Sequence, residues 1–346
     1  MVNTNNVTRF FAAANGYNGF SSNFDKVFNP SDFRKLYVIK GGPGTGKSTL
    51  MRKISNRFSD SAEITEIYCS SDPKSLDGVI IKKNGVKIGI VDGTSPHTVE
   101  PIYPGAVEQI VNLGDSFDYN ALAERSEHII ELNKIKKEYY NKAYSALNIA
   151  GLIHRYINDY IAINELYCKA EEKVDKVIAS LEMTKTCLEN NAFYVGAFCK
   201  DGYVFIENSI KKEILSISGD GISEYIFMTK LKEKLDKNKY IKRVFTSAFS
   251  LELYDRIETE RYIFTLKQGD KAIDSTSLFE VSDEYKRLKA MYDNTINEVK
   301  YAFENASKYH FKLEDIYSSC MSFENHSDKY NEIVDEICSF SVNNRC

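Results

Sequence analysis

The chain has 346 residues, 43% of them hydrophobic and 27% charged, a composition typical of a globular protein large enough for two domains and not of a disordered or fibrous chain. Its 45 Lys and Arg residues against 49 Asp and Glu residues give a net charge of −4, so no overall positive field attracts nucleic acid or an anionic membrane. The seven cysteines form no CxxC pair, and no apolar run reaches the roughly 20 residues of a membrane-spanning helix. We therefore expect a cytoplasmic protein with reduced thiols and without a nucleic-acid or membrane partner.

A glycine-rich loop lies between a predicted strand and a predicted helix. The strand covers residues 35–40, which are rich in β-forming side chains, and the helix is indicated by Leu50, Ile54 and Phe58, which recur every fourth residue. The loop matches the pattern G-x-x-x-x-G-K-[ST] at every fixed position. Its residues are Gly41, Gly42, Pro43, Gly44, Thr45, Gly46, Lys47 and Ser48. A strand, a glycine turn and a helix in this order predict a phosphate-binding loop.

Each residue type in this loop suits a triphosphate. Glycines let consecutive backbone N–H groups converge on phosphate oxygens, and the start of the helix adds unpaired donors and the positive end of its dipole. Lys47 is predicted to reach the β- and γ-phosphates, and Ser48, with Thr49 behind it, to place a hydroxyl on Mg²⁺. The alternative is a glycine-rich turn with an incidental lysine. We interpret the loop as a nucleoside triphosphate site.

The next predicted strand of interest, residues 86–92, is mostly apolar and ends at Asp92. A phosphate-binding loop of this kind needs a carboxylate for the outer shell of its metal ion, at the end of a neighbouring buried strand. Asp92 is therefore a predicted catalytic and metal-site residue; alternatively it opens a turn, because Gly93 follows it. Many ATPases with a loop of this pattern carry a glutamate directly after such an aspartate to orient the attacking water, and here that position is Gly93.

Polar residues beyond the ends of the predicted strands supply weaker candidates. His97 lies just past Asp92, where ligands of open α/β sheets bind, and is predicted to hold a water or to contact the γ-phosphate. It is otherwise an ordinary polar loop residue, and Glu100 is a weaker candidate still. Asp72 and Lys74 follow another predicted strand and suit phosphate or substrate contacts, although a solvated loop would have the same composition.

From about residue 120 to residue 188 the pattern changes to long helix, with apolar residues at 3.6-residue spacing. At about 1.5 Å per residue, this helical arm could reach well beyond the nucleotide-binding half. It could form a lid, a surface for a protein partner or a hairpin. Its charged residues are typical of a solvated face.

Beyond residue 190 the sequence pattern begins again. The segments 10–14 and 19–20 are echoed 183 residues later, and Ala146, Leu147, Ala150 and His154 reappear 156 residues later as Ala302, Phe303, Ala306 and His310. A fixed order of strands, turn and helices met twice indicates an internal duplication. We therefore predict two lobes, 1–190 with the phosphate-binding loop and 191–346 as its copy, each with a helical arm.

The second copy lacks the chemistry of the first. Where the first half has the glycine loop, the second has residues 219–225, Gly-Asp-Gly-Ile-Ser-Glu-Tyr. No Lys-Ser pair closes this turn, and Glu224 would repel a phosphate. The predicted second lobe keeps the architecture for packing and for shaping a shared cleft, and it is degenerate as a nucleotide site.

Residues 41–48 together with Asp92 resemble the P-loop NTPase superfamily. More narrowly, these residues combined with segments 69–78 and 92–97 resemble a little-characterised bacterial family of predicted ATPases built from two P-loop halves in tandem. The resemblance implies ATP and Mg²⁺ at the first half and implies no known substrate. The degenerate second loop departs from that family, in which both phosphate loops are intact.

The leading interpretation is a slow Mg²⁺-dependent ATPase with a single site, in which Lys47 and the metal neutralise charge on the transferring phosphoryl group. The alternatives are a phosphotransferase acting on a small molecule and a non-catalytic, nucleotide-gated scaffold whose helical arms bind a partner protein. ATP is preferred to GTP because no Asn/Thr-Lys-x-Asp segment follows a predicted buried strand. The second substrate and the oligomeric state are not readable from the sequence.

Overall fold

The protein is described by a computed structural model that covers residues 6–163, 168–206, 208, 211–267, 269, 271–276, 281–324 and 326–340. Its architecture is mixed α/β, as predicted, with two main sheets, two small hairpins and a pair of long helices. The five cysteines whose side chains are described are all free. Cys346 and the side chain of Cys168 lie outside the description. No helix within the described ranges is long and apolar enough to span a membrane.

The first sheet has six strands around the glycine-rich loop. In spatial order they are β1 (Val7–Phe11), β5 (Glu63–Tyr68), β6 (Leu76–Lys83), β7 (Val86–Asp92), β4 (Lys35–Lys40) and β8 (Glu108–Asn112). Strand β4 is parallel to both β7 and β8, and β6 is antiparallel to its neighbours β5 and β7. The central strand β4 is fully buried from Leu36 to Ile39, because helices and loops cover both faces of the sheet.

Helix α2 (Lys47–Phe58) follows the glycine-rich loop and packs its apolar face on the first sheet. The residues predicted for this face, Leu50, Ile54 and Phe58, are all buried, as the fourfold spacing requires. The predicted strand–turn–helix order is thus confirmed. The short helix α1 (Phe24–Val27) precedes β4 and lies against the other face of the sheet.

The second sheet has five strands. In spatial order they are β12 (Arg243–Thr246), β13 (Tyr254–Glu258), β14 (Tyr262–Thr265), β11 (Glu213–Ser218) and β15 (Ala272–Asp274). The order and the directions repeat those of the first sheet from β5 to β8, since β11 is parallel to β14 and β15 and antiparallel pairs join β12, β13 and β14. Helix α6 (Ser223–Lys237) follows β11 as α2 follows β4.

Two small hairpins lie between the sheets. The first consists of β2 (Ala13–Gly16) and β3 (Gly19–Ser22), the second of β9 (Gly196–Cys199) and β10 (Gly202–Phe205). Each strand of the second hairpin begins and ends 183 residues after its counterpart in the first. The buried amide of Asn15 on the first hairpin donates to the carbonyl of Phe198 on the second (2.9 Å), so the hairpins hold the two halves together.

Two long helices form the predicted arms. They are α4 (Ser126–Ile163), which follows the short α3 (Tyr119–Glu124), and α7 (Asp283–Ser319). They pack antiparallel along their length: Ile129, near the start of α4, lies in one cluster with Leu313, near the end of α7. The aromatic pair Tyr139 and Tyr309 (centroids 5.8 Å apart) lies at the same seam. The arms therefore form one hairpin-like pair.

The predicted helix over residues 120–188 ends earlier than expected. Helix α5 (Cys168–Ala179) is its last part, and residues 182–193 form no helix. The reason is that this segment runs extended along the second sheet. The backbone N–H of Thr186 donates to the carbonyl of Lys239, and that of Glu189 to the carbonyl of Lys242. In a helix these N–H groups would donate to carbonyl groups of the helix itself.

The last helix of each half packs on the sheet of the other half. Helix α8 (His326–Phe340) buries Ile333 and Ile337 in the core of the first sheet, and the hydroxyl of Tyr37 on β4 donates to Glu336 (2.7 Å). Helix α5 in turn buries Val174 among the residues of α6 and the second sheet. The division at residue 190 therefore follows the sheets, while the packing of these two helices crosses it.

Candidate functional site

The glycine-rich loop curls between the end of β4 and the start of α2. Gly44 and Gly46 lie in the left-handed region, with φ of +73° and +79°, a conformation that side chains oppose and that glycine adopts without strain. Gly46 directly precedes α2, whose first N–H groups have no partner within the helix. Pro43 is half-buried and Thr49 is exposed. The loop thus offers backbone donors at the positive end of a helix dipole.

Lys47 folds back over this loop. Its ammonium donates to the carbonyl oxygens of Gly41 (2.9 Å) and Gly42 (2.8 Å), and its side chain is only 11% exposed. The Nζ atom lies 3.6 Å from Oδ2 of Asp92. The hydroxyl of Thr45 also donates to the carbonyl of Gly42 (2.9 Å), which fixes the curl of the loop. The predicted lysine and the predicted aspartate are therefore neighbours.

The two predicted metal-site residues lie at the carboxyl edge of the sheet. Asp92 ends β7 directly beside β4, in register with Ile39, which explains how a residue 45 positions after Lys47 reaches the loop. Its Oδ1 accepts from the backbone N–H (2.9 Å) and the hydroxyl (2.6 Å) of Thr94, which leaves Oδ2 toward Lys47. Ser48 Oγ accepts from the N–H of Leu76 (2.9 Å) and so ties α2 to the start of β6.

His97 joins a buried cluster with two carboxylates. One ligand atom each of Asp77, Asp92 and His97 lies within 4.8 Å of the others. His97 Nε2 is 3.6 Å from Oδ2 of Asp77, and the imidazole stacks on the ring of Phe24 (centroids 4.1 Å apart, planes within 6°). The side chain of His97 is 7% exposed. Such a cluster of two carboxylates and an imidazole can bind a divalent cation or transfer a proton.

Burial sets the protonation of this cluster. Burial, together with the negative charge of Asp92, raises the pKa of Asp77 to about 8 against the opposing effect of Lys47. Burial likewise lowers the pKa of His97, although Asp92 favours the charged imidazole. At neutral pH and without a cation, Asp77 is therefore largely protonated and His97 neutral. A cation would displace the proton of Asp77.

Asp77 is a residue that the sequence reasoning passed over in favour of Asp72 and Lys74. The signal was a carboxylate within the apolar run of β6, between Leu76 and Val79, since a charged residue placed there has to be buried. Lys74 is exposed, while one carboxylate oxygen of Asp72 is buried without a hydrogen-bond partner in the described part of the chain.

Two other elements approach the rim of the site. Glu100 pairs with Lys40 (2.7 Å) at the end of β4 and is exposed, so it lies outside the cluster. Helix α4 reaches the loop after β5, where burial near Ser71 raises the pKa of Tyr140 to about 12. The first helical arm therefore contacts the candidate site from one side.

The second half covers the glycine-rich loop from the other side. Tyr317, near the end of α7, packs on Gly42: a Cβ built on Gly42 would lie 3.4 Å from its ring. His326 Nε2, at the start of α8, donates to the carbonyl of Thr45 (2.9 Å). The backbone of Glu314 on α7 lies so close to Gly44 that a Cβ built there would be 2.5 Å from the carbonyl oxygen of Glu314. Sequence reasoning missed all three, because no local pattern marks them.

The loop of the second half uses its backbone donors differently. The carboxylate of Glu224 accepts from the N–H of Gly221 (3.0 and 2.9 Å), and Oδ1 of Asp220 accepts from the N–H groups of Ile222 (3.1 Å) and Ser223 (2.9 Å). The loop's own carboxylates therefore hold the donors that a phosphate would need. This geometry is in line with the prediction of a degenerate second site.

Comparison with known proteins adds no assignment. No protein-family model matches the chain, and neither a curated protein nor a solved structure is significantly similar to it. The functional argument therefore depends on the geometry of the site alone.

Proposed function

We propose that the first half binds one nucleoside triphosphate, ATP with Mg²⁺, on the loop from Gly41 to Thr49, and hydrolyses it slowly. The observation that carries the proposal is the position of Lys47. Its ammonium lies between the carbonyls of a loop with left-handed glycines and the carboxylate of Asp92 on the adjacent parallel strand. A mobile cation over unpaired N–H donors is the arrangement that a triphosphate requires.

The residues fit the expected roles. Backbone N–H groups of the loop and the dipole of α2 would bind phosphate oxygens, and Lys47 would exchange its loop carbonyls for the β- and γ-phosphates. The Ser48 hydroxyl and the Asp92 carboxylate are the groups that would hold Mg²⁺, which supplies charge neutralisation when bound.

Slow turnover is proposed because Gly93 occupies the position at which a water-orienting glutamate would follow Asp92. Within the cluster, Asp77 and His97 remain for this role. Burial favours the neutral form of both side chains, because it raises the pKa of Asp77 and lowers the pKa of His97. Lys47 then provides mainly electrostatic stabilisation of the transferring phosphoryl group.

A second candidate is phosphoryl transfer to a small acceptor. The pair of Asp77 and His97 favours it, because the neutral imidazole of His97, 3.6 Å from the carboxyl group of Asp77, could accept the proton of an acceptor hydroxyl. Release of ADP that depends on an added acceptor, and is absent without it, would select this reaction over hydrolysis.

We also propose that the two halves are copies of one P-loop-like unit. The supporting observations are the repeated strand order and directions in the two sheets and the two hairpins separated by 183 residues along their whole length. The second copy, on this view, lost its phosphate site when the lysine and serine were replaced, because α6 begins with Ser223 and Glu224 where α2 begins with Lys47 and Ser48. One nucleotide per chain follows from this.

Calorimetry with ATP and GTP, each with and without Mg²⁺, tests the proposal. We expect one ATP per chain, weaker binding of GTP, and a loss of affinity of about a hundredfold or more in Lys47→Ala, because a charge-assisted contact to phosphate is removed. Lys53→Ala, which removes an exposed lysine from the same helix, is the matched control. Absence of ATP binding, or equal binding by the Lys47 variant, would reject the proposal, and two equal sites would reject the degenerate second half.

A further inference from the structure

Two carboxylates come close together where β6 begins and β7 ends. The strands are antiparallel and Gly78 pairs with Val91, so Asp77 and Asp92 are the next residues along the two strands. An oxygen of each carboxylate lies within 4.8 Å of the other, and both side chains are largely buried. Two carboxylates at this distance repel each other unless a proton or a cation lies between them.

His97 adds a buried imidazole without a hydrogen bond to these carboxylates. Its side chain is 7% exposed, and Nε2 lies 3.6 Å from Oδ2 of Asp77, which is beyond hydrogen-bond distance. Nδ1 is buried and has no hydrogen-bond partner among the described residues. The rings of Phe24 and Phe20 stack on the imidazole, with centroids 4.1 and 6.4 Å away, and fix its plane. A polar group buried in this way is destabilising unless a ligand binds it.

We propose that Asp77, Asp92 and His97 form a binding site for a divalent transition-metal cation of the class of Fe²⁺, Co²⁺ and Zn²⁺. This site differs from that of the Mg²⁺ expected on Ser48 and Asp92, because it includes an imidazole and needs no nucleotide. Ligand atoms about 2.1 Å from one cation lie up to about 4.2 Å apart, so small side-chain rotations close the site.

The ligand types select the cation. Mg²⁺ and Ca²⁺ take oxygen ligands, whereas an imidazole nitrogen favours the later first-row transition metals. Three protein ligands also leave a coordination position for a water molecule, as in zinc sites that are not purely structural. The two aspartates come from neighbouring strands and the histidine from the loop after β7, so the backbone places all three before a metal binds.

Lys47 competes with the proposed cation for Asp92. Oδ1 of Asp92 accepts two hydrogen bonds from Thr94, and Oδ2 lies 3.6 Å from the Lys47 ammonium. Two positive charges at one carboxylate repel each other, so the ammonium weakens metal binding in the nucleotide-free protein. A triphosphate that draws Lys47 away would strengthen it, and this coupling alone rests on the proposed function.

Calorimetry with Zn²⁺ on the full chain without nucleotide tests the site. We expect one Zn²⁺ per chain and affinity for Mg²⁺ weaker by about tenfold or more. His97→Phe keeps a flat ring against Phe24 and removes both nitrogens, and it should weaken Zn²⁺ binding by about tenfold or more. The matched control is His128→Phe, which removes an exposed histidine of α4. Absence of Zn²⁺ binding, equal affinity for Mg²⁺, or equal affinity of His97→Phe and the control would overturn the inference.

The visible absorption of Co²⁺ gives a readout that needs no variant. Co²⁺ in a site with an imidazole and few ligands absorbs more strongly than hydrated Co²⁺, so we expect stronger bands that saturate at one Co²⁺ per chain. The spectrum of hydrated Co²⁺ at all concentrations would overturn the inference even if His97→Phe does not fold.

Lys47→Ala separates this site from the nucleotide site. We expect it to bind Zn²⁺ about threefold or more tightly than the unmodified protein, because the competing ammonium is gone, while its binding of ATP is lost. Unchanged or weaker Zn²⁺ binding would overturn the sharing of Asp92. If ATP does not bind to the unmodified protein but Zn²⁺ does, the proposed function fails and the metal site stands.

Discussion

The two loops of this protein differ in what their backbone groups bind. In the second half the carboxylates of Asp220 and Glu224 belong to the loop itself and accept from its N–H groups within two or three residues. In the first half the charged group is the ammonium of Lys47, which donates to the carbonyl oxygens of Gly41 and Gly42. The second loop therefore holds negative charge against its N–H groups, whereas the first loop holds positive charge against its carbonyl groups.

The two halves also differ in the surroundings of one buried aspartate in each sheet. Asp77 and Asp255 are the second residues of β6 and β13, which hold the same place in the two sheets. Asp77 lies beside Lys47 and His97, groups that exchange protons or bind anions. Asp255 is fully buried and accepts from the hydroxyl of Tyr203, so its hydrogen bonds are structural. The matching positions therefore hold a carboxyl group beside other charged or titratable groups in one half and a hydroxyl-bonded core residue in the other.

The largest effect is expected from the exchanged helices. Ile337→Ala in α8 removes a side chain with no exposed surface from the core of the first sheet, and we expect it to lower the free energy of unfolding by about 3 kcal/mol. Val174→Ala in α5 should cost less, because fewer methyl groups leave the core of the second sheet. Urea unfolding of both variants measures this. A negligible loss in Ile337→Ala would show that α8 is not part of the first core.

A smaller difference is expected between the two loops. Gly44→Ala places a Cβ at φ +73° and 2.5 Å from the carbonyl of Glu314, whereas Gly221→Ala places one at φ +94° with no atom closer than 3.8 Å. Both substitutions strain the backbone, and only the Cβ of Gly44→Ala also clashes with α7. We expect Gly44→Ala to lower the free energy of unfolding by about 2 kcal/mol and Gly221→Ala by about 1 kcal/mol. Equal losses in urea unfolding would mean that α7 does not press on the first loop.

The smallest effect concerns the pH dependence of stability. Burial raises the pKa of Asp255 to about 7 against the opposing hydroxyls of Tyr203, Ser247 and Tyr225. Between its ordinary pKa of 3.8 and about 7, the folded protein keeps a proton that the unfolded chain releases, so this contribution to stability falls as the pH rises through 7.

Asp255→Asn should remove that fall. Relative to the unmodified protein, its free energy of unfolding should rise by about 1 kcal/mol between pH 6 and pH 8. Urea unfolding at several pH values measures the difference, with the exposed Asp201→Asn as control. A difference that stays constant over this range would mean that Asp255 is ionised in the folded protein throughout.

Local patterns predicted the elements around the site well. The strands at residues 35–40 and 86–92 have the expected bounds. In both, the glycine or aspartate at the end of the apolar run marks the end of the strand. The contact of Lys47 with Asp92 also followed from the sequence, since parallel neighbouring strands bring their carboxyl ends together. These inferences needed only short-range information.

Local patterns did not predict the packing of α7 and α8 on the glycine-rich loop. They also did not predict that α5 and α8 each pack on the sheet of the other half. Glu314 is one of many carboxylates on a long polar helix, and nothing near it in the sequence refers to Gly44. Periodicity predicts that α5 and α8 each bury one face, yet it does not specify which of two similar sheets receives that face. Such choices depend on side-chain fit between distant segments.

The exchange of α5 and α8 also bears on how the protein is made. The first sheet lacks the apolar cover of Ile333 and Ile337 until the ribosome has synthesised the chain beyond them and this segment has left the exit tunnel. A nascent chain that stops before α8 exposes that face of the first sheet, and its glycine-rich loop lacks the hydrogen bond from His326. The core of the first sheet is therefore complete only after the residues of α8 have been synthesised.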